Sequence, residues 1–199
     1  MTTSELARIH SKNRTKLISA LTHHKLQMNE SIKKENNLIA SVNIRMYLLF
    51  NVAWLENSLQ YIIYSYHKQI NSYLRTDILK QNSQAKMWEY LIQEKFREHY
   101  MNNKQKPFNI LNLGHSGYTR YDYLINTLLP RVTTFIEIRN KLAHGQWAVA
   151  LNNEGTAKVQ DTTAKIWTLS KKDTLLSKNI LDKFVKMVDS LVASKSAFE

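Results

Sequence analysis

The sequence predicts a mainly α fold, a helical bundle with a small β-hairpin inserted before the C-terminal helix. Three observations lead there. Only four glycines and two prolines interrupt 199 residues, which favours long helices over many short strands joined by turns. Apolar residues recur at three- and four-residue intervals along most of the chain. Alternation of period two is confined to one stretch, from Trp147 through Val149 and Leu151 to Ala157 and Val159. With 43% hydrophobic residues the chain is able to bury a core as one domain, residues 1–199.

Taken in order, a first helix begins after Thr2, with Glu5 three positions on completing a capping box. Leu6, Ile9, Leu17 and Leu21 lie along one side of it, a sparse stripe that leaves the other face wet. A second helix over residues 37–66 is apolar across a broad arc that includes Met46, Leu49, Phe50, Ala53, Leu55, Leu59, Ile62 and Ile63. Such a helix belongs at the centre of a bundle. Shorter helical patterns follow at 73–80 and 86–100, then a loop over 102–117 containing Pro107, Gly114 and Gly117.

A helix starting near Tyr118 meets Pro130, which is predicted to open a fresh helix at its first position, where a missing N–H is harmless. Val132, Phe135, Ile136, Ile138 and Leu142 give that helix its apolar contacts, and Gly145 stands where a C-terminal cap would, with His144 at the helix end. The alternating stretch, with Asn152-Asn153-Glu154-Gly155 at its turn, predicts the hairpin. A third strand is possible over 166–169. The last helix, 174–193, carries Ile180, Leu181, Phe184, Met187, Val188, Leu191 and Val192.

The absence of cysteine excludes a disulfide framework and a thiolate metal site, and fits a reducing cytoplasm. Residues 46–59, the most apolar run, are interrupted by Asn51, Glu56, Asn57 and Ser58. They fall short of the unbroken run of about 18 needed to span a bilayer, so no membrane is expected as partner. The charged residues Glu5, Arg8, Lys12, Arg14 and Lys16 argue against a secretory signal. Lys plus Arg number 28 against 16 acids, a net charge of +12, and the resulting field attracts polyanions such as RNA.

The segment with the most chemistry in it is Arg139-Asn140-Lys141-Leu142-Ala143-His144-Gly145. On a helix Asn140 and His144 share a face, while Arg139 continues the apolar line of Val132 and Ile136 and is therefore partly buried. A buried guanidinium calls for a carboxylate, and Glu56, in line with Met46, Leu49 and Ala53, is the candidate. RNA carries its own nucleophile in the 2′-hydroxyl, so its cleavage needs proton transfer and charge stabilisation but no metal. A histidine, whose ordinary pKa is about 6.5, moves a proton at neutral pH, and an arginine holds phosphate oxygens as negative charge builds. Asparagine orients either. One such histidine per chain predicts a two-fold homodimer whose copies combine into one site.

Arg-Asn-x-x-x-His followed by glycine, late in a long bundle helix, resembles the signature of the HEPN superfamily. The resemblance implies a HEPN-like bundle acting as a dimeric, metal-independent endoribonuclease, of the toxin or abortive-infection type found in phage defence, with Arg139 and His144 catalytic and Asn140 assisting. It implies no cofactor and a possible antitoxin or regulatory partner protein. One group of such toxins carries a tyrosine two positions after the histidine as the target of a modifying antitoxin. This chain has Gln146 there, which puts that form of control in doubt.

Other readings stand beside this one. Arg139 and His144 also suit a structural ion pair and a helix-terminal histidine, in a non-catalytic module that binds RNA or a protein. Lys141, Arg120 and Tyr121 are the candidate RNA contacts, the last through base stacking. Adjacent His23 and His24 point about 100° apart on a helix, with no second pair spaced to join them in holding a metal.

Overall fold

Helix α1 (Thr3–Lys33) opens with the predicted capping box: Thr2 accepts from the Glu5 amide, and the Glu5 carboxylate accepts from the Thr2 amide. It turns back through Glu35, in left-handed backbone, into α2 (Asn37–Ser65). The computed structural model describes residues 1–101, 105–152 and 154–198, and helices dominate them throughout. After α2 come α3 (Ser72–Leu79), α4 (Gln84–Tyr100), α5 (Ile110–Asp122), a π-helical turn (Tyr123–Leu128), α6 (Leu129–Ala143), α7 (Gln160–Thr168), α8 (Lys171–Ala193) and the short α9 (Lys195–Phe198).

Helix α2 is the axis of the molecule, with α1, α6 and α8 packed on different sides of it. Its side chains Leu48, Val52, Leu55, Leu59, Ile62 and Ile63 are buried. By length and composition it could cross a bilayer, but half of its most apolar stretch is buried inside the protein. Buried Asn51 donates to Ser177 of α8 at 3.0 Å, a polar tie that fixes the register of the two central helices. Further along, Trp88 meets Phe184 edge to face at 5.1 Å, and Phe96 packs against Tyr121 and Phe198. One continuous apolar core results. Toward the α1–α2 turn the hairpin leaves that core and exposes Leu26, Ile32, Leu38 and Ile39.

Four expectations need correction. The predicted β-hairpin is absent: among the described residues there is no strand, only one antiparallel bridge between Leu151 and Lys158. Asn153, in its turn, lies outside those residues. The reason lies in competing partners. The Ala150 amide donates to the Thr163 hydroxyl at 2.9 Å, and that hydroxyl donates to the Val159 carbonyl at 2.7 Å, so one side chain takes both groups that would extend the ladder beyond the bridge. The possible third strand is likewise helix, the end of α7.

The loop predicted over 102–117 gives way to helix from Ile110, capped by the Asn109 side chain. Residues 102–104 of that expectation lie outside the described residues. The helix bends at Gly114, whose φ of 71° suits glycine. Nor does Pro130 open a fresh helix. The chain runs on from α5 into α6 through the π turn, where the Leu129 amide bonds the Leu124 carbonyl five residues back. This wider turn carries the helix into the proline that an ordinary α-helix would accommodate poorly.

Candidate active site

Helix α6 positions the Arg139–His144 segment. Its buried stripe of Val132, Ile136 and Leu142 turns Arg139 toward α2, where the guanidinium Nη2 meets the Glu56 carboxylate in an ion pair. The expected partner is thus in place, reached across 83 positions of sequence by the packing of α6 on α2. The Arg139 side chain is 17% exposed and that of Glu56 39%. Burial lowers the Arg139 pKa, since a desolvated cation loses hydration, and the guanidinium stays charged all the same. Its Nε–H is buried and meets no acceptor among the described residues. Beside Glu56 runs an open groove of about 310 Å³ whose rim includes Gln60, Gln84 and Met87.

Asn140 and His144 face water. No hydrogen bond from either side chain stands among those of the described residues, whereas their backbones are fixed: the His144 amide donates to the Asn140 carbonyl at 3.1 Å. Gly145 follows in left-handed backbone, φ 76°. Its amide reaches the Leu142 carbonyl and the Gln146 amide reaches that of Lys141, at 3.1 and 2.9 Å. These two bonds form a Schellman cap. The Trp147 indole N–H adds a third bond, to the Leu142 carbonyl at 2.9 Å. His144 therefore sits on a rigid helix end with a free imidazole.

Trp147, where the period-two alternation begins, caps α6 instead of opening a strand, while the Gln146 and Thr163 side chains, which the sequence reading did not single out for this, accept from the Leu151 and Ala150 amides. The signal was present in the sequence, because a helix end leaves carbonyls without partners and an indole N–H just beyond it is a ready donor. The candidate RNA contacts lie apart from one another. Lys141 donates to the Leu151 carbonyl at 2.5 Å, which ties the segment after the motif back to α6. Arg120 bonds the Phe198 carbonyl and lies over the Phe198 ring, 5.3 Å from its centre. Tyr121 is buried, one ring face stacked on Phe108 at 4.4 Å between centroids, and so is not presented at the surface.

His24 bonds Asn43 at 3.0 Å and stacks on Phe50, while His23 faces solvent. Among the described residues no three acidic or histidine side chains converge as a metal site. What the arrangement offers chemically is a half-buried cation anchored on a carboxylate, and an amide and an imidazole on the adjoining open face. Compared with family models, curated proteins and solved structures, the chain matches none.

Proposed function

We propose that the chain is a metal-independent endoribonuclease, a toxin or phage-defence effector of the cytoplasm, whose site is completed by a second copy of itself. The observation that carries this reading is the α6 end, where Arg139 is anchored on Glu56 and Asn140 and His144 project side by side from a capped helix terminus. His144 of one copy takes the proton from a ribose 2′-hydroxyl as its oxygen bonds to the adjacent phosphorus. The phosphorus–5′-oxygen bond breaks, and His144 of the second copy gives a proton to the departing 5′-oxygen. Arg139 stabilises the charge gathering on the non-bridging oxygens, and Asn140 orients substrate or imidazole. The products are a 2′,3′-cyclic phosphate and a 5′-hydroxyl end.

The test is cleavage of labelled single-stranded and structured RNA in excess chelator. Replacing His144 or Arg139 by Ala should lower the rate about 10²- to 10⁴-fold while the fold, by circular dichroism, and the dimer, by sedimentation, persist. Equal activity in the variants, or activity abolished by the chelator, would overturn the mechanism. The Arg139–Glu56 pair also favours a second reading, in which the arginine is structural and the chain is a non-catalytic module for RNA or a protein. That reading requires salt-sensitive binding that survives both substitutions.

A further inference from the structure

Arg8, Lys12 and Lys16 stand four residues apart on α1, so they share one face at intervals of about 6 Å along the axis. All three are exposed, and no hydrogen bond or ion pair of their side chains stands among those of the described residues. Where this row passes the end of α2, an open groove of about 380 Å³ lies between the two helices. Arg8 and Lys12 line it together with Ser4 and Ser11 of α1, and with Ser65 and His67 at the end of α2 and just beyond. The side chains of these four are equally without hydrogen-bond partners among the described residues. Tyr61, also in the lining, stands about 140° around α2 from Glu56, which sets the groove apart from the Arg139 site.

The charge of the groove is one-sided, because no carboxylate is among its lining residues. Of the acids in adjoining turns, Glu5 accepts from the Thr2 amide and Asp189 from the Tyr66 hydroxyl. Beyond Tyr61 the surface changes character. A smaller cavity of about 150 Å³ between α1, α2 and α8, beside Trp54, has Asp182 and Asp189 in its wall with Arg14 and Lys186. There acids accompany the cations; in the groove none does. Unpaired cations in a row, with hydroxyl and imidazole groups between them, suit a ligand that carries negative charges at regular intervals. The rings of the two lining tyrosines are already engaged: Tyr61 lies under Arg14 at 4.7 Å, and Tyr64 stacks on His10 at 5.8 Å with Arg75 5.2 Å from its centre. Contact in the groove is therefore with a backbone and not with stacked bases. Ala7 is the only aliphatic residue of the lining, too little apolar surface to enter a lipid headgroup layer.

We infer that this groove binds the phosphodiester backbone of single-stranded RNA. Arg8, Lys12 and Lys16 meet successive phosphates, and the serine hydroxyls and the His67 imidazole bond to phosphate and ribose oxygens. The choice of RNA rests on the ribonuclease reading, for which the groove is a holding surface away from the reacting atoms.

The experiment uses the full chain carrying His144→Ala, so that bound RNA is not consumed, and follows the anisotropy of a labelled single-stranded oligoribonucleotide across a salt series. Adding Arg8→Gln with Lys12→Gln should weaken binding about 10-fold and lower the slope of log affinity against log salt by about 1.4, the share of two phosphates on a single strand. Adding Lys33→Gln with Lys34→Gln instead removes the same charge about 30 Å further along α1, well beyond the screening length, and should leave the slope within about 0.3 of the starting value. Circular dichroism checks that both folds persist, as expected for exposed positions. The inference is overturned if the two pairs act equally, which would make the attraction a diffuse property of the net charge, or if the Arg8 and Lys12 pair changes nothing. It also fails if the starting chain binds no RNA at low salt, or if that pair is needed for sedimentation with phosphatidylserine vesicles and not for RNA. Cleavage by the parent chain tests the ribonuclease reading and binding tests the groove, so either can fail alone.

Discussion

The two faces of α2 treat a half-buried arginine in opposite ways. On one, Arg139 meets the Glu56 carboxylate, and the end of α6 beyond it is closed by its caps, although the Arg139 Nε–H is left without an acceptor among the described residues. On the other, Arg14 lies against the rings of Tyr61 and Trp54, and its Nε–H and the Trp54 indole N–H are buried without acceptors among the described residues. A cation held by a carboxylate is tied to one geometry. A cation held by ring faces is held without a fixed hydrogen-bond geometry, and that is the difference between the two faces.

Removing Glu56 would make the first face resemble the second, without rings to receive the charge. Glu56→Ala should cost about 2–3 kcal/mol in urea unfolding, since a guanidinium is left desolvated and unpaired. Arg14→Met should cost no more than about 1 kcal/mol, the value of a partly exposed cation–ring contact. If the two substitutions cost the same, the contrast between the faces is lost. The double change Glu56→Leu with Arg139→Met sharpens it: much of the stability should return, because apolar groups of similar size replace a costly pair.

The next effect in size concerns the helix end that presents His144. Gly145 has φ 76°, and a Cβ there would meet nothing within 4 Å. Gly145→Ala therefore isolates the conformational cost of left-handed backbone, about 1–2 kcal/mol. Unfolding measurements should find that loss with the fold unchanged. A neutral substitution would mean that the cap does not hold the motif in place.

Much of this was legible in the sequence because it depends on local periodicity. The capping box at Thr2 and Glu5, the extent of α2 and the end of α6 at His144 follow from spacing and end signals that neighbours do not override. The pairing of Glu56 with Arg139 was legible as well, since each lies in line with apolar positions of its own helix. The misreadings share a physical cause, which is that particular side-chain and backbone contacts, invisible to a periodic pattern, decided local structure. Thr163 took the amide and the carbonyl that would have extended the expected hairpin, Phe108 covered Tyr121, and a π turn carried the helix into Pro130. The cavity beside Trp54 was not legible at all, because its walls come from three helices whose mutual rotation no single-helix pattern contains.

The smallest effect belongs to the cap of α8, the helix that carries Asp182 and Asp189 to the cavity. Ser170 and Asp173 form a capping box, with the Ser170 amide 3.1 Å from the Asp173 carboxylate and the Asp173 amide 3.2 Å from the Ser170 hydroxyl. These bonds with Ser170 hold the Asp173 carboxyl below its usual pKa. A carboxylate depressed in the folded state adds stability above its unfolded pKa of about 3.9 and loses it as pH falls through the folded value. Asp173→Asn should therefore cost about 0.3–1 kcal/mol at neutral pH, and its unfolding curve should converge on that of the parent as pH falls through the lowered pKa of the folded state. The site lies at the exposed start of α8, so the same gap should be nearly absent in high salt. A gap that persists in acid would place the contribution of Asp173 in its shape and hydrogen bonds, since its charge would already be gone.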